Sequence, residues 1–201
     1  MFDYQSLLRQ YCGQSIENIL EELGDHHAEL SGLKRQAVLI SVEMEFLTPE
    51  EPAQLFAQSA AAYRAIMSNT EAVGIGHFVD VGMGHASGYF GFEEDHWGAY
   101  QLISTALTLE SNLPAKVGFG LHAGTAVIAN VGAPVRHSLA LLGRARRVTD
   151  SLAKLAIQNG KELVVSGEYA ESFLVDVKLH KIGSVKIAGS DISVRGLSVG
   201  D

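Results

Sequence analysis

The run Ala37 to Val42, AVLISV, constrains this chain more than any other stretch. Five of its six residues are apolar and three are β-branched. Neighbouring side chains on a strand point to opposite faces, so such a run has to be covered on both sides. It reads as a buried central strand. Thr48-Pro49-Glu50-Glu51 follows and reads as a helix start. Thr48 can cap, Pro49 suits the first helical position, and Glu51 completes a capping box. The helix is expected to run to about Asn69 through Leu55, Phe56, Ala60, Tyr63 and Met67.

The same two periodicities alternate through the rest of the chain. Ala72 to Val81 and His85 to Phe92 read as strands around a Gly82-Met83-Gly84 hairpin turn. Asp95 to Glu110 reads as a second amphipathic helix. Lys116 to Ala123 and Gly124 to Val131 read as two strands joined by a glycine-containing turn, and Ser138 to Leu142 as short and extended. Gly143 to Asn159 is a third helix, ended by Asn159-Gly160. Leu163 to Ser166 is a strand and Gly167 to Phe173 a short helix. Val175 to Ile182, Gly183 to Ile187 and Ile192 to Leu197 close the chain as strands. The order β-α-β-β-α-β-β-α-β-α-β-β suggests an α/β sandwich.

Upstream, Leu7, Leu8, Tyr11, Ile16, Ile19, Leu20 and Leu23 recur at near-helical spacing, and residues 24 to 36 are a polar connector. Residues 1–36 therefore read as an N-terminal helical segment and connector, and residues 37–201 as the main domain. The net charge of −8 argues against a phosphate backbone as partner, so nucleic acid is not expected. Cys12 is the only cysteine, which fits a reducing, cytoplasmic setting and leaves no Cys cluster for a metal. The start of the chain has no signal-peptide pattern, and no run of about 18 apolar residues is present to span a bilayer.

The residues at the joints are more specific than the order of elements. Ala37 to Thr48, AVLISVEMEFLT, resembles the first strand and turn of class III adenylate and guanylate cyclase catalytic domains. Gly82-Met83-Gly84 followed by Tyr89 resembles that family's hairpin, usually Gly-Asp-Gly. Gly120-Leu121-His122-Ala123-Gly124 resembles its Gly-Ile-His-x-Gly segment. Leu142-Gly143 and the helix after it match its Ile-Gly-Asp-x-Val-Asn-x-Ala-x-Arg-Leu segment in spacing, and Gly183 to Gly189 resembles its closing hairpin. The match runs over about residues 37 to 198. It implies a ferredoxin-like βαββαβ core with extra C-terminal strands.

The resemblance also implies a site. In the family, one Asp on the first strand and one in the hairpin hold two divalent cations that bind the triphosphate and activate the ribose 3′-hydroxyl. Hard oxygen ligands suit that role. Here the first position is Glu43 and the second is Met83, whose thioether has no useful affinity for Mg²⁺. Asp80 could stand in only with a slip of strand register, which would turn it to the other face or misplace the glycines. The base-reading Lys falls at Val79, the Asp or Thr after Gly143 at Arg144, the ribose-orienting Asn at Arg147, and the transition-state Arg at Ser151.

Several losses in one site imply a degenerate, catalytically inactive domain with no cofactor, acting as a regulatory or dimerisation module in cyclic-nucleotide-type signalling. Its expected partner is a second copy or an active cyclase. Two alternatives stay open. One is a divergent active cyclase using Glu43 with Mg²⁺ or Mn²⁺. The other is a domain sensing a nucleotide or small molecule in the dimer cleft. Arg144, Arg146 and Arg147 are phosphate-binding candidates at a helix N-terminus, against salt bridging to surface carboxylates. His77, His85 and His122 lie on strands and read as structural.

Overall fold

The computed structural model describes residues 32–46, 51–73, 76–82, 84–92, 115–133, 136–173, 179–187 and 189–197. The first strand, β1, is Gly32–Phe46, so it begins five residues before the expected Ala37 and takes in the end of the polar connector. A helix, α1 (Pro52–Val73), leads into the hairpin β2 (Gly76–Gly82) and β3 (His85–Phe92). β4 (Ala115–Ala133) and β5 (Arg136–Leu142) precede α2 (Arg144–Asn159). β6 (Leu163–Ser166), α3 (Gly167–Phe173), β7 (His180–Ile187) and β8 (Ser190–Leu197) complete the described chain. The N-terminal helical segment, the helix expected over 95–110 and Met83 lie outside the described residues.

The strands form one eight-stranded mixed sheet in the order β2-β3-β1-β4-β6-β8-β7, with β5 paired to the second half of β4. Among the described strands only β4 and β6 pair in parallel, and the connection between them carries α2. β1 is central, as its two-sided apolar run requires. Val38, Ile40, Val42 and Met44 pack with Ala62 and Ile66 of α1 and Tyr169 and Ala170 of α3. On the other face, Ala37 and Leu39 pack with Tyr89 and with Ala145 of α2. The result is a sheet with helices on both faces.

Four expectations are corrected by the structure. The turn expected at Gly124 is absent, and β4 runs unbroken from Ala115 to Ala133. The glycine is there for close approach, because a Cβ on Gly124 would lie 3.0 Å from Ala145 Cβ. The closing strands expected to break at Gly183 form one strand, β7, with a register irregularity between Lys181 and Gly183. The proline that opens α1 is Pro52, whose preceding residue Glu51 accepts backbone hydrogen bonds from Gln54 and Leu55. The joint between α1 and β2 also moves, because α1 runs past the expected Asn69 to Val73 and takes in Ala72 and Val73, expected as strand, so that β2 begins at Gly76. Gly84 takes a φ of 78° in the hairpin turn, and Gly160 ends α2 in the left-handed region at φ 60°.

How closely α2 lies on the sheet decides the geometry of the site. Its buried residues, Ala145, Val148, Thr149, Leu152, Ala153 and Ala156, recur at helical spacing, and half of them are alanine. Beneath them the sheet presents Gly118 and Gly120. A Cβ on Gly120 would stand 2.3 Å from the Thr149 carbonyl oxygen, and one on Gly118 would stand 2.7 Å from that of Ala153. Small residues on both sides bring backbone against backbone.

Candidate functional site

On the α2 face of the sheet, Ser41 and Glu43 of β1 stand across from Ser87 and His85 of β3. The opposite neighbours of Ser41 and Glu43 on β4 are Gly120 and Gly118. The helix therefore settles deeply enough to bring Asp150 and Arg146 onto this polar strip. Ser41 Oγ donates to Asp150 Oδ1 at 2.5 Å. His85 bridges two carboxylates, with Nδ1 at 3.0 Å from Glu43 Oε2 and Nε2 at 3.7 Å from Asp150 Oδ1. Arg146 Nε lies 3.4 Å from Asp150 Oδ2, and its Nη1 donates to the Leu141 carbonyl at 3.0 Å. The side chains of Glu43, His85, Arg146 and Asp150 are each only about a quarter exposed.

The hairpin that carries His85 is anchored from two sides. Tyr63 Oη of α1 donates to the His85 carbonyl at 3.0 Å and accepts from the His85 amide at 3.1 Å. The Met44 amide donates to the Gly84 carbonyl at 2.8 Å. Burial raises the pKa of Tyr63 above its ordinary value, against the opposing effect of the backbone hydrogen bonds, so the phenol stays protonated. Ser87 Oγ is fully buried and has no hydrogen-bond partner among the described residues.

Not all the residues singled out in the sequence meet here. Glu43 is in the network, and so is Arg146. Arg147 is exposed on α2, and Ser151 Oγ donates back to the Arg147 carbonyl at 2.8 Å. Arg144, the first residue of α2, lines a separate cavity. The three arginines therefore divide among an ion-pair network, solvent and a cavity wall, and do not form one phosphate cluster. Val79 falls at the register irregularity between Phe78 and Asp80 in the β2–β3 ladder, and Asp80 stands opposite Ser87.

Asp150 and Ser41 were not singled out in the sequence. The i,i+4 spacing of Arg146 and Asp150 on a helix was the available signal for the first. Nothing local marks Ser41, whose partner lies 109 residues away.

The second polar site surrounds His122. Its Nδ1 pairs with Ser166 Oγ at 2.9 Å, and the same oxygen accepts from the Tyr169 amide at the start of α3 at 3.3 Å. Burial lowers the His122 pKa below its ordinary value. Glu168 pulls it upward and Arg144 pushes it further down.

This fold recurs in solved structures. The fold is that of class III nucleotidyl cyclase catalytic domains. A bacterial light-regulated adenylyl cyclase superposes with a TM-score of 0.75 at 16% identity, covering 98% of this chain and 63% of the other. The adenylyl cyclase CyaB from P. aeruginosa superposes with a TM-score of 0.64 at 13% identity over 86% of this chain and 98% of its own. A non-canonical dimeric guanylyl cyclase domain from the aquatic fungus Blastocladiella emersonii gives 0.64 at 8% identity, with 83% and 96% covered. The chain thus spans a little under two thirds of the light-regulated enzyme and nearly the whole of the isolated cyclase domains. By sequence alone it matches no family model and no curated protein. Among the described residues, no helix is long and apolar enough to cross a membrane.

Proposed function

We propose that this chain is a cyclase-fold regulatory module that does not cyclise nucleotides and assembles with a second cyclase-type domain in intracellular, cytoplasmic signalling. The observation that carries the reading is the engagement of Glu43. Its Oε2 is taken up by His85, which in turn leans on an Asp150 held by Arg146 and Ser41. A pair of hard cations needs several unengaged oxygen ligands. Here the second ligand position carries the thioether of Met83, and among the described residues no group of three His, Cys, Asp or Glu side chains is arranged to hold a metal ion. The donor set does not fit the metal pair. Val79, Arg147 and Ser151 replace the base-reading, ribose-orienting and transition-state residues that the resemblance calls for. Assembly with a second domain is supported by the dimeric guanylyl cyclase domain among the similar structures.

The test is the purified chain incubated with ATP or GTP and Mn²⁺, with cyclic nucleotide measured by chromatography and assembly state by light scattering. No product is expected from the wild type. None is expected from Met83→Asp either, because losing one electrostatic stabiliser alone costs about 10²–10³ in rate. A dimer is expected in scattering. Metal-dependent product that Glu43→Ala abolishes would instead establish a divergent active cyclase. A monomer at high micromolar concentration would end the assembly claim.

A further inference from the structure

A cavity of about 460 Å³ lies within the single chain, between the start of α2, the start of α3, β4 and the first residues of β8. It falls in the size range of small-molecule sites, roughly 300–1,000 Å³. The Glu43–His85–Asp150 network contributes none of its lining.

The cavity's charges are arranged unusually. Arg144 lines it from α2, Glu168 from α3 and Asp191 from β8. None of the three forms an ion pair with a described residue, although both signs face the same space. Between them His122, held by Ser166 and kept neutral by burial, presents Nε2 beside Gly124. Gly124 opens this corner, since a Cβ there would stand 3.1 Å from His122 Nε2. Thr125 Oγ1 and Gln36 Oε1, 2.9 Å apart, supply further polar atoms on the wall.

One guanidinium and two carboxylates, all exposed to solvent and facing one space without pairing, suit a ligand carrying the complementary set. A guanidinium offers a planar fork of donors that matches a carboxylate. The carboxylates match a cationic amine or guanidinium. A cavity of this volume is roughly 10 Å across if taken as a sphere, so a molecule with its charges at opposite ends bridges it better than a compact one. We propose that this cavity is a binding site for a basic amino acid or a close analogue, with its carboxylate on Arg144 and its side-chain cation toward Glu168 and Asp191. Such a site would let the module respond to a small metabolite from within one chain. It stands whether or not the chain is catalytic.

Isothermal titration calorimetry of the full chain with L-arginine and L-lysine tests it, with L-glutamate and L-leucine as controls. Arg144 and Glu168 are both exposed, so Arg144→Ala and Glu168→Gln should leave the fold intact, and melting curves verify this. Binding of arginine or lysine, weakened at least tenfold by each variant and absent for the two controls, is the expected result. No heat with either basic amino acid at 10 mM would overturn the proposal. So would binding that both variants leave unchanged, or glutamate binding as tightly as lysine.

Discussion

Replacing Gly120 by alanine tests the close seating of α2, on which the Ser41–Asp150 contact depends. The added Cβ would lie 2.3 Å from the Thr149 carbonyl oxygen and 2.5 Å from the Ala153 nitrogen, both backbone atoms of α2. Ordinary contact begins near 3.4 Å. The overlap is therefore about 1 Å, and no side-chain rotation relieves it, so the helix must lift or slide by a similar distance. A gap of that size forfeits a quarter to a half of the dispersion well for each contact it opens. Val148, Leu152 and Ala156 would loosen from Val164 and Val194, and the hydrogen bond from Ser41 to Asp150 would open. Overpacking of this kind costs about 1–3 kcal/mol. Because both obstacles are backbone, the upper end applies. For a chain of this length, about 3 kcal/mol lowers the melting temperature by roughly 6–12 °C. Gly82→Ala is the control, since its Cβ would meet nothing closer than 4.0 Å. Thermal unfolding followed by circular dichroism reads both. A Gly120→Ala variant melting within about 2 °C of wild type would refute the claim that α2 rests on a glycine platform.

Two further predictions concern the titratable groups. In a double-mutant cycle of Glu43→Gln and His85→Gln, denaturant unfolding should give a coupling of about 0.5–1 kcal/mol, at the low end for networked residues because solvent screens both partners. A coupling indistinguishable from zero would mean the 3.0 Å contact does not hold Glu43. His122 has a folded pKa below its unfolded value, so in the window between the two the unfolded chain binds more protons. Stability is then fully present above the ordinary histidine value and declines as pH falls through it toward the lower folded value. His122→Gln should remove that part of the slope, so the variant should lose less stability than wild type between pH 7.5 and pH 5.5. Equal losses in the two proteins would contradict it.

Much of this fold was legible in the sequence because its signals are local. The two-sided apolar run of β1 demanded a central position, which the structure bears out with apolar layers on both faces. The Asn159-Gly160 stop fell where the left-handed Gly160 ends α2, and β6 and α3 have the expected bounds. Glycine was the main source of error. Local reading treats it as a turn former, and at Gly84 and Gly160 it is one. At Gly124 the residue serves a helix that approaches from a distant part of the chain, and no local rule reveals that.

The site divides along the same line. Residue type alone determined that Met83 cannot serve as a hard metal ligand and that Val79 offers no polar group to a base. Only the tertiary structure decided what Glu43 does, because its partner His85 is 42 residues away and the Asp150 beyond it arrives on a helix from the other half of the chain. The same holds for Arg144, Glu168 and Asp191, which are unremarkable surface charges in sequence and become the walls of one cavity when three elements converge. Spacing within an element is set by helix and strand geometry and can be read residue by residue. Spacing between elements is set by how closely they pack, and here that distance was decided by Gly118 and Gly120 beneath α2.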